Sequence, residues 1–127
     1  MGKPKILIVD DDKDLLQSLS LRLGKEGYDV AVATDAYQGL ERARTMKPNL
    51  LILDIRMPAG DGFSIQERMQ AMSGPWPPVI YLTGDKSIRA ELGAKRLGAR
   101  ALIYKPFDFS TLLDMVKRAL GITPHAA

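Results

Sequence analysis

The chain contains no cysteine, which removes disulfides and thiolate metal sites from consideration. No run approaches the roughly eighteen apolar residues that a membrane-spanning helix needs. Met1-Gly2-Lys3-Pro4 leads straight into an apolar segment without the h-region of a secretory signal, so the cytoplasm is the expected compartment. No Gly-rich turn follows that segment, and the dinucleotide-binding fingerprint is therefore missing. Helix-turn-helix and zinc spacings are missing as well, as are internal repeats and low-complexity tracts. The net charge is +3, from 18 Lys and Arg against 15 Asp and Glu. The basic residues are scattered among the acids, so neither a membrane nor direct nucleic-acid contact is expected of this domain.

What is present is a single-domain length of 127 residues, enough to bury a real core. Leu50-Leu51-Ile52-Leu53 is a run of four branched aliphatics that cannot be half-solvated. It reads as a strand buried on both faces, ending in Asp54. Similar short strands are Lys5–Val9, Tyr28–Ala33, Val79–Leu82 and Ala101–Tyr104, the second being less apolar, as at a sheet edge. Helical periodicity fills the intervals: about Asp14 to Lys25 with Leu16, Leu19 and Leu23 inward, then Thr34 or Asp35 to Met46. Three more follow: Phe63 to Met72 burying Ile65, Met69 and Met72, Ser87 to Leu97 with a thin stripe of Ile88 and Leu92, and Ser110 to Leu120 burying Leu113, Val116 and Leu120. Gly27, Gly98 and Gly121 stop helices, and Pro48 prevents continuation of the second. Ser73-Gly74-Pro75-Trp76-Pro77-Pro78 reads as a rigid connector, with Trp76 capping the core edge. Strands alternating with helices predict an α/β fold: a flavodoxin-like, doubly wound, five-stranded parallel sheet of order 2-1-3-4-5 with five helices. Residues 1–121 form the domain, and 122–127 read as a tail or the start of a linker.

Parallel strands share one direction, so their carboxyl ends share one edge. Strands one, three, four and five end in Asp10-Asp11, Asp54, Thr83 and Lys105. Alone, Asp54 is better read as a cap or turn former; agreement among four strand ends overturns that. Two carboxylates about 5 Å apart at an effective dielectric near 20 repel by roughly 3 kcal/mol, which Lys105 offsets only in part. A hard divalent cation is the remedy, and carboxylates with carbonyls and waters suit Mg²⁺. The Asp10-Asp11-Asp12 run also suits a helix N-terminus; both uses hold if Asp12 or its neighbour caps while Asp10 and Asp11 serve the metal. Asp54 then becomes a candidate nucleophile able to form an aspartyl-phosphate. Mg²⁺, the Lys105 ammonium and the Thr83 hydroxyl would stabilise the phosphoryl oxygens.

The acidic pair, Asp54-Ile55-Arg56-Met57-Pro58-Ala59-Gly60-Asp61-Gly62, Thr83 and Lys105-Pro106-Phe107 together resemble the receiver domain of bacterial two-component response regulators, over about Lys5 to Leu120. The resemblance implies a phosphorylation-dependent signalling switch rather than a metabolic enzyme. Asp54 would accept a phosphoryl group from a sensor histidine kinase or histidine phosphotransfer protein. It implies Mg²⁺ ligated by Asp11, Asp54 and the backbone carbonyl of Arg56, with Asp10 acting through water. Thr83 and Lys105 would each bond a phosphoryl oxygen, and the Lys105–Pro106 bond would be cis. The fourth helix, fifth strand and last helix would form the readout face, open to homodimerisation, a downstream effector or a following output domain.

Two positions depart from the family pattern. Leu102 stands where an aromatic switch residue is usual, and Tyr104, on the same strand face, is the candidate substitute. Gly84 stands where a small residue such as Ala is commoner. The resemblance further implies that Arg56 and Asp85, two residues after Asp54 and Thr83, flank the pocket mouth, where they are expected to pair across it, hindering water and slowing phosphoryl loss. Two other protein classes share parts of this pattern. A haloacid-dehalogenase-type phosphatase places a second Asp two residues after its nucleophile, where this chain has Arg56. A receiver-like interaction scaffold without phosphorylation would not need the complete acidic set, Thr83 and Lys105 that this chain retains.

Overall fold

Alternation along each strand divides the core into two layers, one on each face of a central sheet. In the computed structural model, which describes residues 2–57, 60–72 and 74–122, the strands are β1 (Lys5–Val9), β2 (Asp29–Ala33), β3 (Leu50–Leu53), β4 (Arg56–Met57), β5 (Gly60–Asp61), β6 (Val79–Thr83) and β7 (Ala101–Tyr104). The helices are α1 (Lys13–Lys25), α2 (Ala36–Met46), α3 (Gly62–Gln70), α4 (Ile88–Arg96) and α5 (Phe109–Ala119). The main sheet is parallel, in the order β2-β1-β3-β6-β7. This is the predicted 2-1-3-4-5 arrangement, because β4 and β5 form only a separate two-residue antiparallel ladder. The breaker-rich segment after Asp54 is therefore a small hairpin; Pro58 and Ala59 lie outside the described residues.

Leu7, Val9, Leu51, Leu53, Val79 and Tyr81 point to one layer, covered by Ala36 and Ala43 of α2, Ile65 and Met69 of α3, and Ala90 and Ala94 of α4. Ile6, Ile8, Leu50, Ile52, Ile80 and Leu82 point to the other, covered by Leu16, Leu19 and Leu23 of α1 and Leu112 and Val116 of α5. Each fully buried aliphatic contributes about 1.5–3 kcal/mol, so a one-residue register slip, which would exchange the two sets, is strongly disfavoured. Gly27 has φ 97°, the left-handed conformation that ends α1 and turns the chain into β2. Asp12, Asp35, Asp61 and Ser87 cap α1, α2, α3 and α4 through side-chain oxygens.

Expected core positions differ in three of the helices. Ile88 and Leu92 are 73% and 61% exposed, and α4 instead buries Ala90 and Ala94. Two residues along a helix turn it about 200°, so the alternative stripe is the opposite face. Small residues win because Phe63 lies against α4: a Cβ at Gly93 would sit 2.6 Å from its ring. Met72 lies beyond the end of α3 and is 38% exposed. The buried positions of α5 are Leu112 and Val116, with Leu113 and Leu120 half-buried. That helix is apolar over a wide arc, and contact with the sheet chose its centre. Trp76 packs against the core edge as expected. Ser73, and residues 123–127 of the expected tail, lie outside the described residues.

Candidate functional site

Register decides what meets at the sheet's carboxyl edge. Val9 pairs with Leu53, so Asp10 and Asp54, each one residue further on, leave neighbouring strands side by side. The Asp54 amide donates to the Val9 carbonyl at 3.0 Å. Asp10 is 2% and Asp54 7% exposed, whereas Asp11 is on the surface. Carboxylate oxygens of Asp10, Asp11 and Asp54 lie within 4.8 Å of one another. Lys105, following β7, reaches back over β6 and donates through Nζ to Asp10 Oδ2 at 2.7 Å and Asp54 Oδ2 at 3.2 Å. The Lys105–Pro106 bond is cis.

Burial raises the Asp10 carboxyl above its ordinary value, against the opposing bonds from Lys105 and the Asp12 amide. Burial also pulls on Lys105, but its bond to Asp10 and the two carboxylate charges outweigh this and raise it. The lysine therefore stays an ammonium. One ammonium cannot balance three carboxylates at this spacing, and an all-oxygen, partly solvent-open cluster fits a hard divalent cation.

Thr83, fully buried at the end of β6, accepts the Asp85 amide on Oγ1 at 3.1 Å. Asp54, Arg56, Thr83, Gly84, Asp85 and Lys105 line an open depression of about 510 Å³. Nothing lies within 4 Å of where a Gly84 Cβ would stand, so that wall is open. Across the mouth, Arg56 Nε donates to Asp85 Oδ2 at 2.7 Å. That bond, with the Ser87 amide, lowers the Asp85 carboxyl to about 2. Thr83 pairs in register with Tyr104, whose hydroxyl donates to Glu91 of α4 at 2.5 Å, while Leu102 packs into the α2–α3–α4 layer.

A buried network behind the site was missed from sequence. A Cβ on Gly62 would lie 2.3 Å from the Asp54 carbonyl oxygen and 2.9 Å from the Tyr81 ring; only glycine fits there. The Tyr81 hydroxyl lies 2.7 Å from Gln66 Oε1, to which it donates, and 3.2 Å from the Gly62 carbonyl. Gln66 Nε2 then donates to the Leu97 carbonyl at 2.9 Å, which also accepts Gln70 Nε2 at 3.0 Å. A lone hydroxyl in the otherwise aliphatic run Val79–Leu82 was the available signal, since a buried Tyr requires a partner.

A doubly wound sheet with acids, a threonine and a lysine at its switch-point edge defines a flavodoxin-like α/β domain whose polar crevice lies where such sheets bind ligands. The chain belongs to the response regulator receiver domain family, whose profile matches residues 6–117. The transcriptional regulatory protein PrrA of Mycobacterium bovis is 36% identical over 117 residues, covering 92% of this chain and 50% of that protein. PhoP of Bacillus subtilis, the alkaline phosphatase synthesis transcriptional regulatory protein, is 34% identical over 123 residues, 97% of this chain and 51% of its own. This chain thus spans about half the length of these relatives. Among solved structures, the CheY-like receiver domain from Methanospirillum hungatei superposes with a TM-score of 0.89 at 33% identity, over 94% of this chain and 95% of that one. No helix among the described residues is long and apolar enough to cross a membrane.

Proposed function

We propose that Asp54 is the phosphoacceptor of this switch, that its phosphoryl donor is the phosphohistidine of a sensor histidine kinase or histidine phosphotransfer protein, and that the reaction uses Mg²⁺. The observation carrying this reading is the Lys105 ammonium bridging Asp10 and Asp54, with Asp11 close enough to complete a three-carboxylate cluster. Asp11, Asp54 and the Arg56 carbonyl would hold Mg²⁺ directly and Asp10 through water. When bound, the ion neutralises carboxylate and phosphoryl charge.

An Asp54 carboxylate oxygen attacks phosphorus; the P–O bond forms as the donor's P–N bond breaks, and the departing imidazole takes up a proton. Lys105 holds one phosphoryl oxygen as an ammonium, and Thr83 donates its hydroxyl to another. These are positioning and electrostatic roles, which phosphoryl transfer chiefly requires. The Arg56–Asp85 pair hinders water at the mouth and prolongs the acyl phosphate. Such a domain turns over only its own phosphoryl group, as a switch.

Phosphorylation biases a pre-existing two-state equilibrium. Tyr104, in register with Thr83 and bonded to Glu91, is the route from the phosphoryl group to α4 in place of the usual aromatic at Leu102. The face formed by α4, β7 and α5 reads the switch out. Acetyl phosphate with Mg²⁺ should label the wild-type chain and leave Asp54→Asn unlabelled. Equal labelling of the variant would remove Asp54 from the role.

A further inference from the structure

At the edge of the sheet opposite Asp54, where the strands begin, a cleft of about 670 Å³ opens between the end of α2 and the connector into β6. Met69 of α3 and Ala43 of α2, both buried, line it together with the half-buried Trp76, Pro77 and Pro78. Its walls are set before any ligand arrives. Proline fixes its own φ, and Pro75, Pro77 and Pro78 all stand along the connector side. Asn49, which also lines the cleft, is tied to β1: its amide donates to the Lys5 carbonyl at 2.8 Å, and its Oδ1 accepts the Lys5 amide at 2.8 Å. The Leu51 amide donates to the Pro78 carbonyl at 3.0 Å, which joins the segment entering β3 to the connector. The charge of the cleft has one sign. Among the described residues, Arg44 and Lys47 line it and no Asp or Glu does. Arg44 is answered by Glu41 at 2.8 Å, whereas the exposed Lys47 enters no ion pair among the described residues. Lys47 is also the one non-glycine among them with a positive φ, at 50°, a helix-ending conformation that glycine fills more readily. A lysine there carries backbone strain and sets a cation at the rim of an apolar cleft.

We propose that this cleft binds a small aromatic carboxylate, its flat ring on the Trp76 and proline surface and its anion paired with Lys47. The volume falls within the roughly 300–1,000 Å³ usual for small-molecule sites, which combine a mostly apolar lining with a few polar groups that orient the ligand. An indole and a thioether both favour contact with an aromatic ring. Charge complementarity selects the anion, because one unanswered cation and no carboxylate face it. A wall already fixed by prolines loses little freedom on binding. A proline-rich peptide would need a groove lined by aromatics, and here Trp76 stands alone, with no Tyr or Phe along the cleft. The cleft shares no residue with the depression around Asp54, so the inference does not rest on the phosphoacceptor reading.

The test is an NMR titration of the ¹⁵N-labelled chain with naphthoate, the neutral naphthylmethanol and acetate. The chain has a single tryptophan, so one indole N–H peak reports on Trp76 directly. Naphthoate should shift that peak and the amides around Ala43 and Lys47, binding roughly tenfold more tightly than the alcohol; acetate should give no saturable shift. Lys47→Gly removes the cation, and glycine adopts a φ of 50° without strain, so the fold is kept. In that variant naphthoate should fall to the affinity of the alcohol, roughly a tenfold loss, while the alcohol binds as before. Lys47→Arg should retain most of the wild-type affinity for naphthoate. Equal affinities for naphthoate and the alcohol, shifts centred elsewhere, or a Lys47→Gly chain that binds naphthoate as tightly as wild type would overturn the proposal. So would a proline decapeptide that occupies the cleft more tightly than naphthoate.

Discussion

Replacing Tyr81 by Phe removes one oxygen from a packed interior and almost no volume. Its hydroxyl is the donor to Gln66 Oε1 at 2.7 Å, and Gln66 is 5% exposed. Without it that carbonyl oxygen is buried and unpaired, a loss of about 1–3 kcal/mol. For a domain of this size the melting temperature should fall by roughly 3–12 °C. Urea unfolding followed by circular dichroism should show a lower midpoint with an unchanged m value. A second substitution gives the sharper outcome. Gln66→Leu in the Tyr81→Phe background removes the stranded acceptor, while the Leu97 carbonyl keeps Gln70 Nε2 at 3.0 Å. The double variant should therefore be no less stable than Tyr81→Phe by more than about 0.5 kcal/mol. Strict additivity of the single effects, or a Tyr81→Phe variant as stable as wild type, would refute a network that acts as one unit.

Gly62→Ala should destabilise by about 1–3 kcal/mol and depress Asp54 labelling, because the new methyl meets the Asp54 carbonyl at 2.3 Å; thermal unfolding and labelling read both. Mg²⁺ at a hundred times its dissociation constant should stabilise the chain by about 2.7 kcal/mol, and Asp11→Asn should lose most of that gain in a thermal shift assay. Arg56→Ala should speed dephosphorylation several-fold, and an unchanged rate would remove the gate. In the wild-type chain the Asp85 carboxyl should titrate by NMR near 2, moving back toward its ordinary value in that variant. A lowered folded value means the pairing contributes above the unfolded value of 3.8 and is lost as pH falls through about 2.

The parallel sheet, its order and the identity of the edge residues were legible in the chain, because periodicity and strand-end chemistry are local properties. Uninterrupted aliphatics in β3 required burial on both faces, and parallel strands required Asp10, Asp54, Thr83 and Lys105 to share an edge. The tertiary structure decided what depended on relative placement. Outward Ile88 and Leu92 followed from Phe63 filling the space beside Gly93, a contact between α3 and α4 that no periodicity within α4 encodes. Tyr81, Gln66 and the Leu97 carbonyl are far apart in sequence and meet only once β6, α3 and the end of α4 are packed. Residue pattern determines which groups can be buried or charged, and packing determines which of them find one another.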